Sequence, residues 1–100
     1  MNATLVNKIN RYFSSQPIQR AWLFGSHSRG KETVYSDIDV LVQFLPNEKI
    51  SLFKYAHIIN ELQMLTGKKI DLVEEGQLKP FATANVNADK VLIYERKTQR

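Results

Sequence analysis

The spacing of apolar residues along the chain predicts two amphipathic helices. Leu5, Ile9 and Tyr12 recur at helical spacing, which predicts a first helix from about residue 4 to 15. The apolar positions Leu52, Ala56, Ile59, Leu62 and Leu65 have the same period and predict a second helix from about 51 to 66. We expect both helices to bury one apolar stripe against a common core.

Shorter apolar runs between the helices predict strands. Residues 21–24 form a buried run, and residues 37–44 alternate strictly between their two faces, which predicts the clearest strand of the chain. Segments 69–74 and 91–94 predict two further strands, and Pro80 begins a predicted third helix that runs to about residue 87. This order of elements predicts an α/β domain with helices packed on a small sheet.

The composition indicates one small globular domain. The chain has 100 residues, of which 43% are hydrophobic and 24% charged, and we assign residues 1–95 to the domain and 96–100 to a basic, disordered tail. It has no cysteine and no apolar run of the roughly 20 residues that a membrane span requires. Its first residues lack the pattern of a secretion signal, so we expect a cytoplasmic protein without membrane contact.

The net charge does not by itself indicate a nucleic-acid partner. The excess of +4 comes largely from Arg96, Lys97 and Arg100, which leaves the remainder of the chain nearly neutral. A basic nucleic-acid-binding domain therefore ranks low among the alternatives, and it predicts steeply salt-dependent binding.

Paired aspartates carry the chemistry that the sequence predicts. Asp37 and Asp39 alternate on one strand, so their side chains point the same way from Cα atoms roughly 6.6 Å apart. Asp71 joins them if its strand lies alongside. Bare carboxylates ~5 Å apart repel by about 3 kcal/mol at an effective dielectric of ~20, so we expect cations among them. Oxygen ligands favour Mg²⁺ or Mn²⁺ over zinc, and two such ions suit phosphoryl or nucleotidyl transfer.

A glycine turn precedes the aspartates. Gly25 allows a sharp turn after the first predicted strand, and the Ser26 hydroxyl with neighbouring amides can contact phosphate oxygens. Arg29 either contacts phosphate or braces the loop against a carboxylate, and the sequence leaves both open. A P-loop is excluded, because Glu32 stands where that motif requires the Ser or Thr that binds Mg²⁺.

The combined motif resembles a known superfamily. Gly25 and Ser26, followed after ten residues by the Asp37 to Asp39 pair and later by Asp71, resemble the nucleotidyltransferase superfamily that includes DNA polymerase beta. Within it, the short chain resembles the minimal nucleotidyltransferase antitoxins, which are partners of HEPN-domain toxins. The resemblance covers nearly the whole chain, and Ser28 departs from the family's usual alanine without affecting the chemistry.

The resemblance implies a fold and a set of ligands. It implies a mixed sheet of the polymerase-beta palm type, with the acidic triad Asp37, Asp39 and Asp71 at one edge as catalytic residues and ligands of two Mg²⁺ ions. ATP is the implied donor, bound near Gly25, Ser26 and Arg29. Whether Asp71 acts as a base or only as a metal ligand stays open.

The resemblance also implies a reaction and a partner. It implies transfer of AMP to a tyrosine of the cognate HEPN toxin, which silences that toxin. A chain with one small core has no second domain to hold an acceptor, which also favours a partner protein, encoded next to this one. Two alternatives stay open: an antitoxin that acts by binding alone, and nucleotidylation of a small hydroxylated molecule. The nucleotide preference, the number of AMP units and the oligomeric state are not predicted.

Overall fold

The structure is a computed structural model that describes residues 3–25, 37–76 and 90–97 of the chain. The described elements, in chain order, are α1 (Ala3–Phe13), β1 (Ile18–Phe24), β2 (Ile38–Phe44), α2 (Leu52–Thr66), β3 (Ile70–Glu74) and β4 (Val91–Glu95). These six elements follow the order that the sequence predicts. The third helix, predicted for 80–87, lies outside the described residues.

The four described strands form one mixed sheet. Their spatial order is β3-β2-β1-β4, with β1 antiparallel to both β2 and β4. Strands β2 and β3 are parallel, and α2 lies in the connection between them, as a parallel pair requires a crossover. The expectation of a mixed α/β domain is confirmed.

Both helices pack on one face of the sheet. Ile9 and Phe13 of α1 and Ile58 and Leu62 of α2 are fully buried. They share one core cluster with sheet residues of every strand, namely Ile18, Ala21, Leu23, Ile38, Val40, Val42, Ile70, Leu72 and Tyr94. Because side chains alternate along a strand, the residues between these project from the opposite face of the sheet.

The first helix and the first strand differ from their predicted bounds. Helix α1 ends at Phe13, two residues early, and the hydroxyls of Ser14 and Ser15 then donate to the carbonyl oxygens of Arg11 and Tyr12. Strand β1 begins at Ile18 instead of residue 21, although its first residues are mostly polar. Pairing with the neighbouring strands extends β1 at this end.

The beginning of α2 corrects the predicted apolar stripe. Leu52 is 82% exposed, and Ala56 is exposed as well. The buried stripe instead centres on Ile58 and Leu62, with Tyr55, Ile59 and Leu65 packed beside them. Gly67 ends the helix as predicted, at a φ of 69°. Ser51, predicted as the first helical residue, instead caps the first turn by accepting from the Lys54 amide at 3.0 Å.

Arg96, which we assigned to the tail, is fastened to the connection between α1 and β1. Its guanidinium donates to the carbonyl oxygens of Ile18 at 3.0 Å and Gln16 at 2.6 Å. The remainder of the tail assignment stays a prediction. Neither described helix has the length and apolar character needed to cross a membrane.

Candidate active site

Asp39 and Asp71 lie side by side on the face of the sheet opposite the helices. Strands β2 and β3 pair in parallel so that Asp39 is the direct partner of Asp71. Both residues alternate with core residues, which directs their side chains away from the helices. The register is secured at its beginning, where the Ile38 amide donates to the Lys69 carbonyl at 2.9 Å. The structure therefore brings together two of the three aspartates that the sequence analysis placed in one site.

Asp37 is the third carboxyl group near this pair, and its charge acts on Asp39. It immediately precedes β2, is partly buried, and lies close enough for its charge to act on Asp39. Asp71 is exposed. In the ranges 3–25, 37–76 and 90–97, no three His, Cys, Asp or Glu side chains stand in the arrangement of a complete metal-ligand set. The three carboxyl groups are thus neighbours rather than a finished coordination shell.

The Asp39 carboxyl group is held in an unfavourable environment for its charge. Burial, then a hydrogen bond with Asp71, then the charges of Asp71 and Asp37 raise the pKa of Asp39 from 3.8 to about 6. A hydrogen bond between two carboxyl groups requires a proton on one of them.

Gly25 leaves room for the Asp39 carboxyl group. It follows β1, whose last residue Phe24 is paired with Asp39, and it has a φ of 73°. A Cβ atom added at Gly25 would overlap the Asp39 Oδ2 atom. Both the backbone conformation and the close approach of a carboxylate therefore require glycine here. The sequence analysis predicted the turn but not this contact.

The sequence analysis assigns two further residues, Ser26 and Arg29, to the nucleotide. Ser26 and Arg29 lie outside the described residues, so their assignment to the nucleotide stays a prediction. The described chemistry of the site is therefore a group of carboxyl groups beside a glycine turn. Carboxylate oxygens are the donor type that a hard divalent cation takes, so Asp37, Asp39 and Asp71 fit such a cation in type.

Trp22 adds an aromatic ring to the face that carries Asp39. It lies two residues before Phe24 on β1 and is half-buried rather than part of the core that we expected for it. The Lys90 ammonium lies 4.5 Å from the centre of its ring, a cation–π contact. The signal available in the sequence was the alternation of β1, because Ala21 and Leu23 on either side point into the core.

Comparison with known proteins agrees with this fold. Residues 7–99 match the family described as polymerase beta, nucleotidyltransferase. The match covers most of the chain, so the chain belongs to the polymerase beta nucleotidyltransferase family. This confirms the superfamily that the glycine turn and the spaced aspartates resemble.

Known proteins and solved structures are similar to most of the chain. The protein adenylyltransferase MntA of Thermococcus cleftensis is 37% identical over 76 residues, which are 76% of this chain and 75% of that protein. A structure of a toxin–antitoxin with AMP-PNP superposes with a TM-score of 0.73 at 21% identity, covering 97% of this chain and 76% of the other. A structure of the tri-AMPylated Shewanella oneidensis HEPN toxin in complex with MNT antitoxin has a TM-score of 0.71 at 19% identity, with 96% and 74% coverage.

Proposed function

We propose that this chain is a Mg²⁺-dependent protein adenylyltransferase that acts as an antitoxin by transferring AMP from ATP to a tyrosine hydroxyl of its cognate HEPN toxin. The observation that carries the proposal is the pairing of Asp39 with Asp71, beside Asp37 and against Gly25. The name of the T. cleftensis relative supports the reaction, and the toxin–antitoxin structures support the partner and an ATP-like donor.

The carboxylates are proposed to hold the cation. Asp37, Asp39 and Asp71 would ligate Mg²⁺ through their carboxylate oxygens. When bound, Mg²⁺ neutralises charge on the phosphates and on the attacking oxygen. Because the three groups do not form a complete ligand set in the described residues, the exposed Asp71 side chain is expected to adjust on binding.

The chain's residues act mainly by position and charge. Gly25 keeps the turn close to Asp39, and Ser26 with the following amides is proposed to bind the β- and γ-phosphates. The tyrosine oxygen attacks the α-phosphorus, the new oxygen–phosphorus bond forms, and pyrophosphate leaves. The hydroxyl proton passes to solvent or to Asp71, which is exposed.

The test is transfer of label from ATP to the partner protein. The purified chain is incubated with Mg²⁺, α-labelled ATP and the toxin encoded beside it, and the toxin is weighed by mass spectrometry. We expect additions of about 329 Da per AMP on a tyrosine, and loss of transfer in Asp37→Asn and Asp39→Asn. A toxin that is neutralised without added mass would instead establish an antitoxin that acts by binding alone.

A further inference from the structure

A groove lies between α1 and α2, away from the carboxylate site. Its volume is about 520 Å³, and it is lined by Thr4, Asn7, Lys8, Arg11, Tyr12 and Leu65. The helices pack on the core face of the sheet, whereas Asp39 and Asp71 project from the opposite face. A ligand in the groove would therefore leave the carboxylates accessible.

The rim of the groove is cationic. Lys8 and Arg11 lie one turn apart on α1, and both are exposed. Across the part of the chain that the structure describes, neither side chain pairs with a carboxylate. Glu61 is already engaged, because it accepts from the Tyr12 hydroxyl at 2.9 Å and pairs with His57 Nε2 at 2.7 Å. Two cationic groups are thus left to interact with something outside the described fold.

The floor of the groove is apolar and fixed. Leu65 and Tyr12 line it and also pack against the core cluster. The hydrogen bond from Tyr12 to Glu61 ties α1 to α2 and holds the aromatic ring in place. An apolar floor beside two cations is complementary to a peptide segment that presents an apolar side chain together with carboxylates. A nucleic-acid backbone has the negative charge but no apolar group for the floor.

We infer that this groove docks an acidic segment of the acceptor protein, with carboxylates on Lys8 and Arg11 and an apolar side chain against Leu65 and Tyr12. The inference rests on the proposed function, in which the acceptor is a toxin protein. It adds a second contact, on the helical layer, through which a small domain holds its protein substrate.

The test compares charge reversals at two places. Binding of the toxin encoded beside this chain is measured by titration calorimetry at low and high salt. Lys8→Glu/Arg11→Glu is expected to weaken binding at least about tenfold at low salt, and Lys8→Gln/Arg11→Gln to weaken it less and flatten its salt dependence. The matched control is Lys49→Glu/Lys54→Glu, which changes the net charge equally outside the groove and should leave Kd within about twofold.

Several results would overturn the inference. One is that Lys8→Glu/Arg11→Glu binds the toxin as tightly as the wild type does, and another is that the Lys49 and Lys54 control loses as much affinity for the toxin. The inference would also be overturned if the groove substitutions changed the oligomeric state of the isolated chain, or if they abolished RNA binding while toxin binding was retained. Circular dichroism checks that each variant is folded. If Lys8→Glu/Arg11→Glu unfolds α1, the toxin affinity of Lys8→Gln/Arg11→Gln is used to test the inference instead. Tight toxin binding without AMP transfer would refute the proposed function alone, whereas no binding by the wild type would refute both.

Discussion

Replacing Asp39 with asparagine should stabilise the metal-free protein at neutral pH. The side chain keeps its shape beside Gly25 and can still donate to Asp71, but it no longer carries a charge in a place that disfavours one. The pKa of Asp39 is raised from 3.8 to about 6, which corresponds to at most about 3 kcal/mol of destabilisation by the ionised form. Solvent screening of this partly accessible group reduces our expectation to about 1–2 kcal/mol.

The pH dependence identifies the cause. Below pH ~4 the Asp39 carboxyl group is neutral in both the folded and the unfolded chain, so it causes no loss of stability. Between pH ~4 and the folded-state pKa of about 6, the unfolded chain releases the proton while the folded chain retains it, so the wild type loses stability as the pH rises. The loss is complete above the folded-state pKa. Asp39→Asn has no such titration, so its advantage should be near zero at pH 4 and complete by pH 7.5.

The assay is urea unfolding in EDTA at both pH values, followed by the fluorescence of Trp22, the one tryptophan of the chain. Glu48→Gln is the control, since it removes an exposed carboxylate in the turn after β2. It should give no pH-dependent gain. A destabilised Asp39→Asn variant, or an equal gain at pH 4 and pH 7.5, would refute the electrostatic account of this site.

Three further substitutions test single contacts. Gly25→Ala should lose more stability than Gly67→Ala in urea unfolding, because both glycines have positive φ but only a Cβ at position 25 overlaps Asp39. Equal losses of about 1–2 kcal/mol would show that backbone strain alone accounts for both. Arg96→Ala should lower the unfolding free energy by about 1–2 kcal/mol by removing its bonds to backbone carbonyls, and an unchanged value would place Arg96 in the tail. Ser51→Ala should lower it by about 1 kcal/mol, and no change would deny the cap a role.

The side of the sheet on which the acids lie could be predicted from the sequence. A strand has a period of two, so Asp37 and Asp39 had to share a face and Asp71 had to alternate with Ile70 and Leu72. The direct pairing of Asp39 with Asp71 could not be predicted, because it depends on which strands are neighbours and in what register. The contact of Gly25 with Asp39 depends in the same way on the pairing of β1 with β2.

The buried face of α2 shows where periodicity fails. This helix carries apolar residues on more than one side, including Phe53 and Met64, which are 88% and 77% exposed. The spacing of apolar residues alone therefore predicted, wrongly, that Leu52 belongs to the buried stripe. The sheet and α1 select the buried face, and Ile58 and Leu62 are the residues that reach them. The groove between α1 and α2 could not be predicted either, since its floor combines Tyr12 of α1 with Leu65 of α2.

Divalent-ion binding by the isolated chain tests most directly whether the carboxylates act as one site. Mn²⁺ is titrated in the presence of a non-hydrolysable ATP analogue, and the free ion is measured by electron paramagnetic resonance. We predict that the wild type binds Mn²⁺, and that Asp39→Asn and Asp71→Asn each weaken binding at least about tenfold. Glu75→Gln, at an exposed carboxylate just beyond β3, should bind as the wild type does. Wild-type affinity in Asp39→Asn or Asp71→Asn would contradict the account.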